Sequence, residues 1–299
     1  MVIMKIAVVG AGGFVGNLLI VELAKDLKNS VVAISLNPQN IRCKRRNVNR
    51  QGCDVLETNK MSAILNGCEQ AYYLVHMMAS GKKDFQILEN EAVNSFCKAA
   101  KIAKVKKVIY LGGLGNDSKK LSRHLASRHK TGEILRNKFS NTIEFRASII
   151  IGKGSVSAEI IKQLVEKFSF MIFPGWANTL TQPICDKDVI NYLCEASKAK
   201  LKGHKIYEIG GPETLTYKNL MKRYADYRGA KLYIFVIKIL PRWPAKYFIG
   251  FFVDKNFKNT SISMIDSLDN QVIVTNEYAH NDFANIKPSL IDAVLDSLL

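Results

Sequence analysis

The chain has 299 residues, of which 47% are hydrophobic, and it carries a formal net charge of +17. A chain of this length and composition can bury a substantial core, so its stability needs neither disulfides nor a structural metal. The positive charge favours phosphorylated ligands, anionic lipid or nucleic acid. Nucleic-acid binding is not expected, because no recognition motif accompanies the charge and a general compositional bias explains it equally well.

The cysteines and the N-terminus indicate the compartment. The six cysteines form no CxxC pair, and no cluster of histidine and cysteine has zinc-like spacing. Glycines interrupt the apolar start at residues 10–16, which a signal peptide would not tolerate, and no run of roughly 18 apolar residues follows. We therefore expect a soluble cytoplasmic protein with reduced thiols and no metal site.

Short runs rich in valine and isoleucine alternate with amphipathic segments in the first half, as in βαβ units around a buried parallel sheet. Strands are predicted at residues 5–9, 31–35, 71–75, 105–111 and 142–147, with helices at 16–25 and 89–103. The helical spacing of Val93, Phe96 and Ala100 places one face of the second helix on the sheet.

The second half has a looser pattern. Ser157 is a plausible N-cap for a helix that carries Ile160, Ile161 and Leu164, and a late strand is predicted at 205–209. We therefore predict an α/β fold, a Rossmann doubly wound parallel sheet with a smaller C-terminal lobe. Residues 1–150 would bind NAD(P), and residues 151–299 would form the substrate or partner lobe, with 182–212 returning to the sheet.

A glycine-rich turn follows the first predicted strand. In Gly10-Ala11-Gly12-Gly13-Phe14-Val15-Gly16 one glycine permits the tight turn, another admits a pyrophosphate and the last allows close packing of helix on strand. Free N–H groups and the helix dipole would then face the phosphates. The predicted cofactor contacts in this turn are Gly10, Gly12, Gly13, Phe14, Val15 and Gly16.

The end of the second predicted strand bears on the choice of cofactor. NAD sites usually have an acidic residue there for the ribose 2′-hydroxyl, whereas residues 34–38 contain none. Asn37 is the expected contact. Arg42 and the basic residues at 44–46 follow, which favours NADP over NAD, although these side chains could also form a solvated loop.

Further motifs continue this pattern: GCDVLE at 52–57, AYYLVHMM at 71–78, KKVIYLGGLG at 106–115, LSRHLASRHKTGEILR at 121–136, FRASIIIGKGS at 145–155 and YEIGGPETLTY at 207–217. Together with the glycine turn, they resemble the atypical and extended short-chain dehydrogenase/reductase superfamily. The nearest resemblance is to its bacterial NAD(P)H-binding members, which are epimerase/dehydratase-like, NmrA-like or similar to a complex I accessory subunit.

The resemblance implies roles for two strand ends. Asp54 would accept a hydrogen bond from the adenine amino group, and Val75 and His76 would line the adenine and ribose path. The alternatives are that Asp54 caps a turn and that His76 is a loop histidine with no special partner.

The superfamily uses a serine or threonine together with a tyrosine four residues before a lysine. By resemblance Lys130 is that lysine, which holds the nicotinamide ribose, but the residue four positions earlier is Ala126, and residues 111–114 contain no hydroxyl. The acid/base machinery is therefore absent unless His124, His129 or Tyr110 replaces it. The alternative for both histidines is an exposed basic helix.

Two functions remain open. One is an NADP-linked oxidoreductase or an epimerase/dehydratase-like enzyme acting on a small or apolar molecule. The other is a non-catalytic dinucleotide-binding redox sensor or assembly protein with a protein partner. The aromatic-rich segment 231–252 could form a lid, could contact a membrane surface peripherally, or could complete the core of the smaller lobe. No pattern indicates the oligomeric state.

Overall fold

The computed structural model describes residues 4–77, 85–117, 120–240 and 265–296. Its central strands are β1 (Met4–Val9), β2 (Asn29–Ser35), β3 (Val48–Gly52), β4 (Gln70–Tyr73), β5 (Lys107–Gly113), β6 (Thr142–Ala147) and β11 (His204–Ile209). They form one parallel sheet in the order β3-β2-β1-β4-β5-β6-β11. The strand order reverses between β1 and β4, and ligands of open α/β sheets bind at such a point.

Helices cover both faces of this sheet. They are α1 (Phe14–Leu23), α2 (Thr58–Leu65), α3 (Phe85–Ile102), α4 (Arg123–Lys138) and α6 (Asp186–Lys198). One face packs on α1 and α6, through residues such as Leu19 and Leu193. The other packs on α2, α3 and α4, with Phe96 and Leu135 fully buried. The predicted doubly wound Rossmann sheet is therefore confirmed.

A second lobe packs above the carboxyl ends of the strands. It contains α5 (Val156–Lys167), α7 (Tyr217–Tyr227) and the short strands β7 (Ile150–Ile151), β8 (Phe170–Pro174), β9 (Leu180–Thr181), β10 (Ile184–Cys185), β12 (Leu215–Thr216) and β13 (Tyr233–Ile237). These strands pair as β7–β10, β9–β12 and β8–β13. Helix α8 (Tyr278–Asp282) packs instead against β11 of the central sheet, and α9 (Ile291–Asp296) returns to the second lobe. Most of the lobe shares one core around Trp176, Leu220 and Tyr224. None of the described helices is both long and apolar enough to cross a bilayer.

Local details differ from the sequence prediction. Ser155, not Ser157, is the N-cap of α5, because its Oγ accepts the Ala158 N–H at 3.2 Å and the helix begins at Val156. Strand β3 was not predicted, since its sequence VNRQG is polar and it lies at the sheet edge. Of the aromatic segment 231–252, residues 241–252 lie outside the described residues, and the part before them contains β13.

Candidate functional site

The glycine turn connects β1 to α1 at the point where the strand order reverses. Gly10 has φ of +93°, and a Cβ there would lie 2.7 Å from the Leu74 carbonyl carbon, so the turn and the end of β4 approach closely. A Cβ on Gly16 would lie 2.4 Å from the Gly10 oxygen, which keeps α1 against the strand. Gly13 is the N-cap of α1 and offers no side-chain oxygen to the first N–H groups. Those groups remain for an anion.

The loop after β2 packs beside this turn. Asn17, one turn into α1, donates to the Asn40 oxygen at 3.0 Å and accepts the Arg42 N–H at 2.8 Å. Ser35 lines the cleft, whereas Asn37 is exposed and does not, although its N–H donates to Ser35 Oγ at 3.3 Å. The structure therefore places the exposed Arg42 next to the glycine turn.

Asp54 follows β3 and lines the same cleft as the glycine turn. Its Oδ1 accepts the Leu56 N–H at 3.0 Å, which is the turn-capping contact. Val75 and His76, after β4, also line the cleft. Of the predicted cofactor contacts in the glycine turn, Gly10, Gly13, Phe14, Val15 and Gly16 line this cleft as well, whereas Gly12 does not.

The residues predicted for catalysis lie on different faces of helix α4. His124 and Arg128 are four positions apart, share one face and line the cleft. Lys130 lies on another face, half exposed, where it pairs with Glu133 at 3.0 Å, and it does not line the cleft. Contrary to the prediction, Lys130 does not line the cleft, whereas Arg128, two positions earlier, does.

Arg128 ties the ends of two strands together. Its Nη1 donates to the Val75 oxygen at 3.0 Å and to Glu89 Oε1 at 3.2 Å, and its Nη2 donates to the Leu111 oxygen. Glu89 is fully buried and also accepts a hydrogen bond from Ser127. Arg128 thus brings a positive charge to the wall of the cleft, while a buried carboxylate fixes its position.

Two histidines stack beside this arginine. The rings of His76 and His124 are 5.0 Å apart and nearly parallel, and His76 Nδ1 lies 3.8 Å from Glu89 Oε1. Burial and the charge of Arg128 lower the pKa of His124 to about 3 and hold the pKa of His76 well below its usual value. Both rings are therefore neutral at pH 7. A neutral ring can donate one N–H but cannot act as an imidazolium acid.

His129 belongs to a different group. Its Nε2 lies 2.9 Å from the Gly113 oxygen and its Nδ1 contacts Asp117, which in turn accepts from Arg146 at 2.7 Å. Arg146 also donates to Glu144. Neither His129 nor Arg146 is among the described residues that line the cleft. Arg146 thus forms ion pairs with Asp117 and Glu144.

The hydroxyl groups of Tyr110, Ser148 and Ser155 have hydrogen-bond partners within the protein. The Tyr110 hydroxyl donates to the Arg128 oxygen at 2.9 Å, and the Ser148 hydroxyl donates to the Val272 oxygen at 2.8 Å. Ser155 Oγ accepts the Ala158 N–H at 3.2 Å as the N-cap of α5 and the Gly152 N–H at 3.3 Å. These hydroxyls therefore have structural partners.

The cleft widens from the glycine turn into an apolar chamber under the second lobe. The whole cleft, from the glycine turn to the end of this chamber, has a volume of about 810 Å³. The second lobe and the residues after 264 line the chamber mainly with apolar and aromatic side chains: Val156, Ile160, Ile161, Leu164, Trp176, Met221, Ile265 and Leu268. Ser155, Ser157, Tyr217 and Ser267 add hydroxyl groups to the same lining. Among the described lining residues, Asp54 and Arg128 are the only ones of the Asp, Glu, Lys and Arg types. The chamber suits an uncharged apolar molecule.

Sequence reasoning missed Arg128, Glu89 and Trp176. The HLASR spacing could have indicated Arg128, because it repeats the tyrosine-to-lysine interval of the superfamily. Glu89 and Trp176 carry no such signal, because their roles depend on contacts with distant parts of the chain.

Residues 10–149 match a family model described as NAD(P)H-binding. A search of curated proteins by sequence gives no significant match. Solved structures share the fold over nearly the whole chain. UDP-glucuronic acid 4-epimerase from Bacillus cereus, in complex with UDP-glucuronic acid and NAD, has a TM-score of 0.73 at 18% identity, covering 98% of this chain and 97% of that one.

Triphenylmethane reductase from a Citrobacter species has a TM-score of 0.78 at 15% identity, covering 99% of each chain. A nucleoside-diphosphate-sugar epimerase from Staphylococcus aureus has a TM-score of 0.75 at 13% identity, covering 98% of this chain and 99% of that one. At these identities the likeness establishes a shared fold, and the chemistry must be argued from the site.

Proposed function

We propose that this protein is an NAD(P)H-dependent reductase of the short-chain dehydrogenase/reductase superfamily, because residues 10–149 match a family model described as NAD(P)H-binding and the fold is shared with epimerases and a reductase. Its substrate would be an uncharged, apolar, electron-poor molecule such as a quinone. The proposal rests on one observation: a single cleft of about 810 Å³ extends from the glycine turn into an apolar chamber. When bound, the dinucleotide would supply a hydride at the junction of the two parts.

The residues at this junction favour an acceptor that needs no proton from the protein. His124 is neutral at pH 7, and the Tyr110 hydroxyl has a structural partner. A quinone that receives a hydride becomes an anion whose charge is delocalised over its own ring and oxygens. Water can then protonate the product. The likeness in fold to a reductase of triphenylmethane dyes supports this reading.

Epimerisation or dehydration of a sugar nucleotide receives less support. Such substrates carry a diphosphate, which needs cationic side chains or free N–H groups in the substrate half of the site. There the described lining residues provide no lysine, and Arg128 is already bonded to Val75, Leu111 and Glu89.

We propose NADP rather than NAD as the cofactor. The end of β2 has no acidic residue, and Asn17 holds the backbone of Arg42 beside the glycine turn. Arg42→Ala should weaken NADPH binding about tenfold, as expected for one charge-assisted hydrogen bond, and leave NADH binding nearly unchanged. Arg50→Ala, on the edge strand β3, is the matched control. Equal losses for NADPH and NADH would contradict the assignment.

The main experiment measures binding and turnover separately. Purified protein is titrated with NADPH, NADH, NADP and NAD, following melting temperature, and then mixed with NADPH and a naphthoquinone or UDP-glucose. We expect stabilisation by dinucleotide and oxidation of NADPH with the quinone alone. Gly13→Asp should abolish both, because a side chain there occupies the anion position while meeting only the Gly10 oxygen, at 3.4 Å, within the protein.

A second function is favoured by one observation: Arg128 and Glu89 saturate each other in a buried network, which is also what a purely binding protein would have. Tight dinucleotide binding without turnover of any acceptor would support a redox sensor or assembly role. All six cysteines are free thiols, as a reducing compartment would keep them, and for either function we propose the cytoplasm.

A further inference from the structure

The two-stranded parallel sheet β8–β13 has an apolar outer face. Its register pairs Phe170 with Tyr233 and Ile172 with Phe235. Alternate residues such as Met171 and Ile234 point inward and are buried. The outer strand face consists of Phe170, Ile172, Tyr233, Phe235 and Ile237, which are 55%, 49%, 58%, 56% and 41% exposed.

This face departs from the usual alternation of strands at a protein surface, where outward positions are polar. The rings of Phe170 and Phe235 lie 5.2 Å apart, so the side chains form a continuous patch. Ile239, just beyond β13, extends it and is 93% exposed. Contiguous exposed apolar patches mark interaction surfaces.

Charge around the outer strand face identifies the partner. Lys231 precedes β13 and Lys238 follows it; both are exposed, and neither forms an ion pair with any described residue. The sequence from Tyr227 to Val253 contains basic residues but no aspartate or glutamate. An apolar centre with a basic border is the pattern that binds the surface of an anionic bilayer.

We propose that the outer strand face binds a membrane surface rich in anionic lipid. Its apolar side chains would enter the boundary between headgroups and acyl chains, and Lys231 and Lys238 would contact the headgroups. A second copy of this chain fits less well, because pairing two such faces would bring these lysines together in a chain of net charge +17.

The β8–β13 sheet lies between the outer strand face and the cleft. Phe173, on the inner side of β8, packs on Trp176 with ring centroids 5.1 Å apart, and Trp176 lines the chamber. The sheet is therefore a single layer between the membrane-facing surface and the chamber. The membrane proposal does not depend on the proposed reductase activity, but it would place an apolar substrate close to its source.

Sedimentation with vesicles tests the proposal on the full chain. We expect binding to phosphatidylcholine mixed with an equal amount of phosphatidylglycerol, weakened by salt, and little binding to phosphatidylcholine alone. Ile172→Ser with Phe235→Ser should lower the partition coefficient at least about tenfold. Lys231→Gln with Lys238→Gln should lower it about tenfold or more.

The matched control is Leu27→Ser with Ile102→Ser, which removes two apolar side chains that are 79% and 62% exposed elsewhere. It should bind vesicles like the wild type. Dinucleotide-induced stabilisation reports that each variant is folded. Absence of binding by the wild type, or equal binding by the Ile172/Phe235 variant, would overturn the proposal.

Two further measurements, of oligomeric state and of tryptophan quenching, distinguish the other outcomes. A concentration-dependent dimer that the Ile172/Phe235 variant loses would assign the face to a second copy instead. If that variant does not fold, Phe235→Trp serves in its place. Its added fluorescence should be quenched by anionic vesicles with brominated acyl chains, and absence of quenching would reject membrane binding.

Discussion

Arg128 shows how one side chain can hold several parts of the fold together. Its planar guanidinium reaches two backbone carbonyls and the buried Glu89, which a lysine could not do with the same geometry. Glu89 is fully buried, and Arg128 is its ion-pair partner.

Arg128→Met should destabilise the protein by about 3 to 5 kcal/mol, because it leaves a buried carboxylate unpaired. Lys130→Met should cost less than about 1 kcal/mol, since its ion pair with Glu133 is half exposed. Urea unfolding at pH 7 measures both. Equal destabilisation by the two substitutions would show that the placement of α4 in the cleft is incorrect.

The stacked histidines make stability depend on pH in the acid range. His124 has its pKa lowered from 6.5 to about 3, so below pH 6.5 the unfolded chain binds a proton that the folded chain does not. Stability is therefore complete above pH 6.5 and is lost progressively as pH falls toward 3.

His124→Phe should remove this contribution. Between pH 7 and pH 5 the variant should lose less stability than the wild type, by about 2 kcal/mol, with the remaining loss due to His76 and other groups. Urea midpoints at the two pH values provide the comparison. An unchanged pH dependence would mean that His124 is not desolvated.

Lys107 connects β5 to the C-terminal end of α6 by hydrogen bonds. From β5 its Nζ donates to the oxygens of Ser197 at 3.3 Å and Ala199 at 2.8 Å, and also to that of Ala196, at the C-terminal end of α6. Burial lowers the pKa of Lys107 to about 8, so the ammonium is still charged at pH 7. The positive charge also complements the helix dipole.

Lys107→Met should therefore cost about 1 to 3 kcal/mol by leaving helix-end carbonyls without a donor. Lys198→Met on the same helix end is the control, because Lys198 is exposed and pairs only with Glu195. Thermal unfolding of both variants measures the two losses of stability. If the two lose the same small amount, water replaces the Lys107 ammonium.

At the scale of the whole molecule, the two lobes supply different parts of the cleft. The turn that would hold the dinucleotide belongs to the sheet, whereas Trp176 and α5 line the chamber from the second lobe. Binding of cofactor and binding of substrate should therefore respond to different substitutions.

Trp176→Ala should raise KM for a naphthoquinone about tenfold, through loss of apolar contact area, while the Kd for NADPH changes less than twofold. Steady-state kinetics and dinucleotide titration give the two values. A matching rise in the Kd for NADPH would indicate that Trp176 supports the fold and does not act through the chamber. Met221→Ala, on the same wall, provides a second probe.

The sequence by itself determined the strands of the central sheet other than β3, the glycine turn and the nicotinamide-dinucleotide class of cofactor that the NAD(P)H-binding family model also indicates. These depend on local signals, since β-branched runs and glycine spacing act over a few neighbouring residues. The tertiary structure decided which helix face meets the cleft, so that Arg128 lies inside and Lys130 outside. It also decided the strand β3, which exists through pairing with β2 although its own residues are polar. The chamber and the outer strand face likewise depend on contacts between distant segments, which no local pattern encodes.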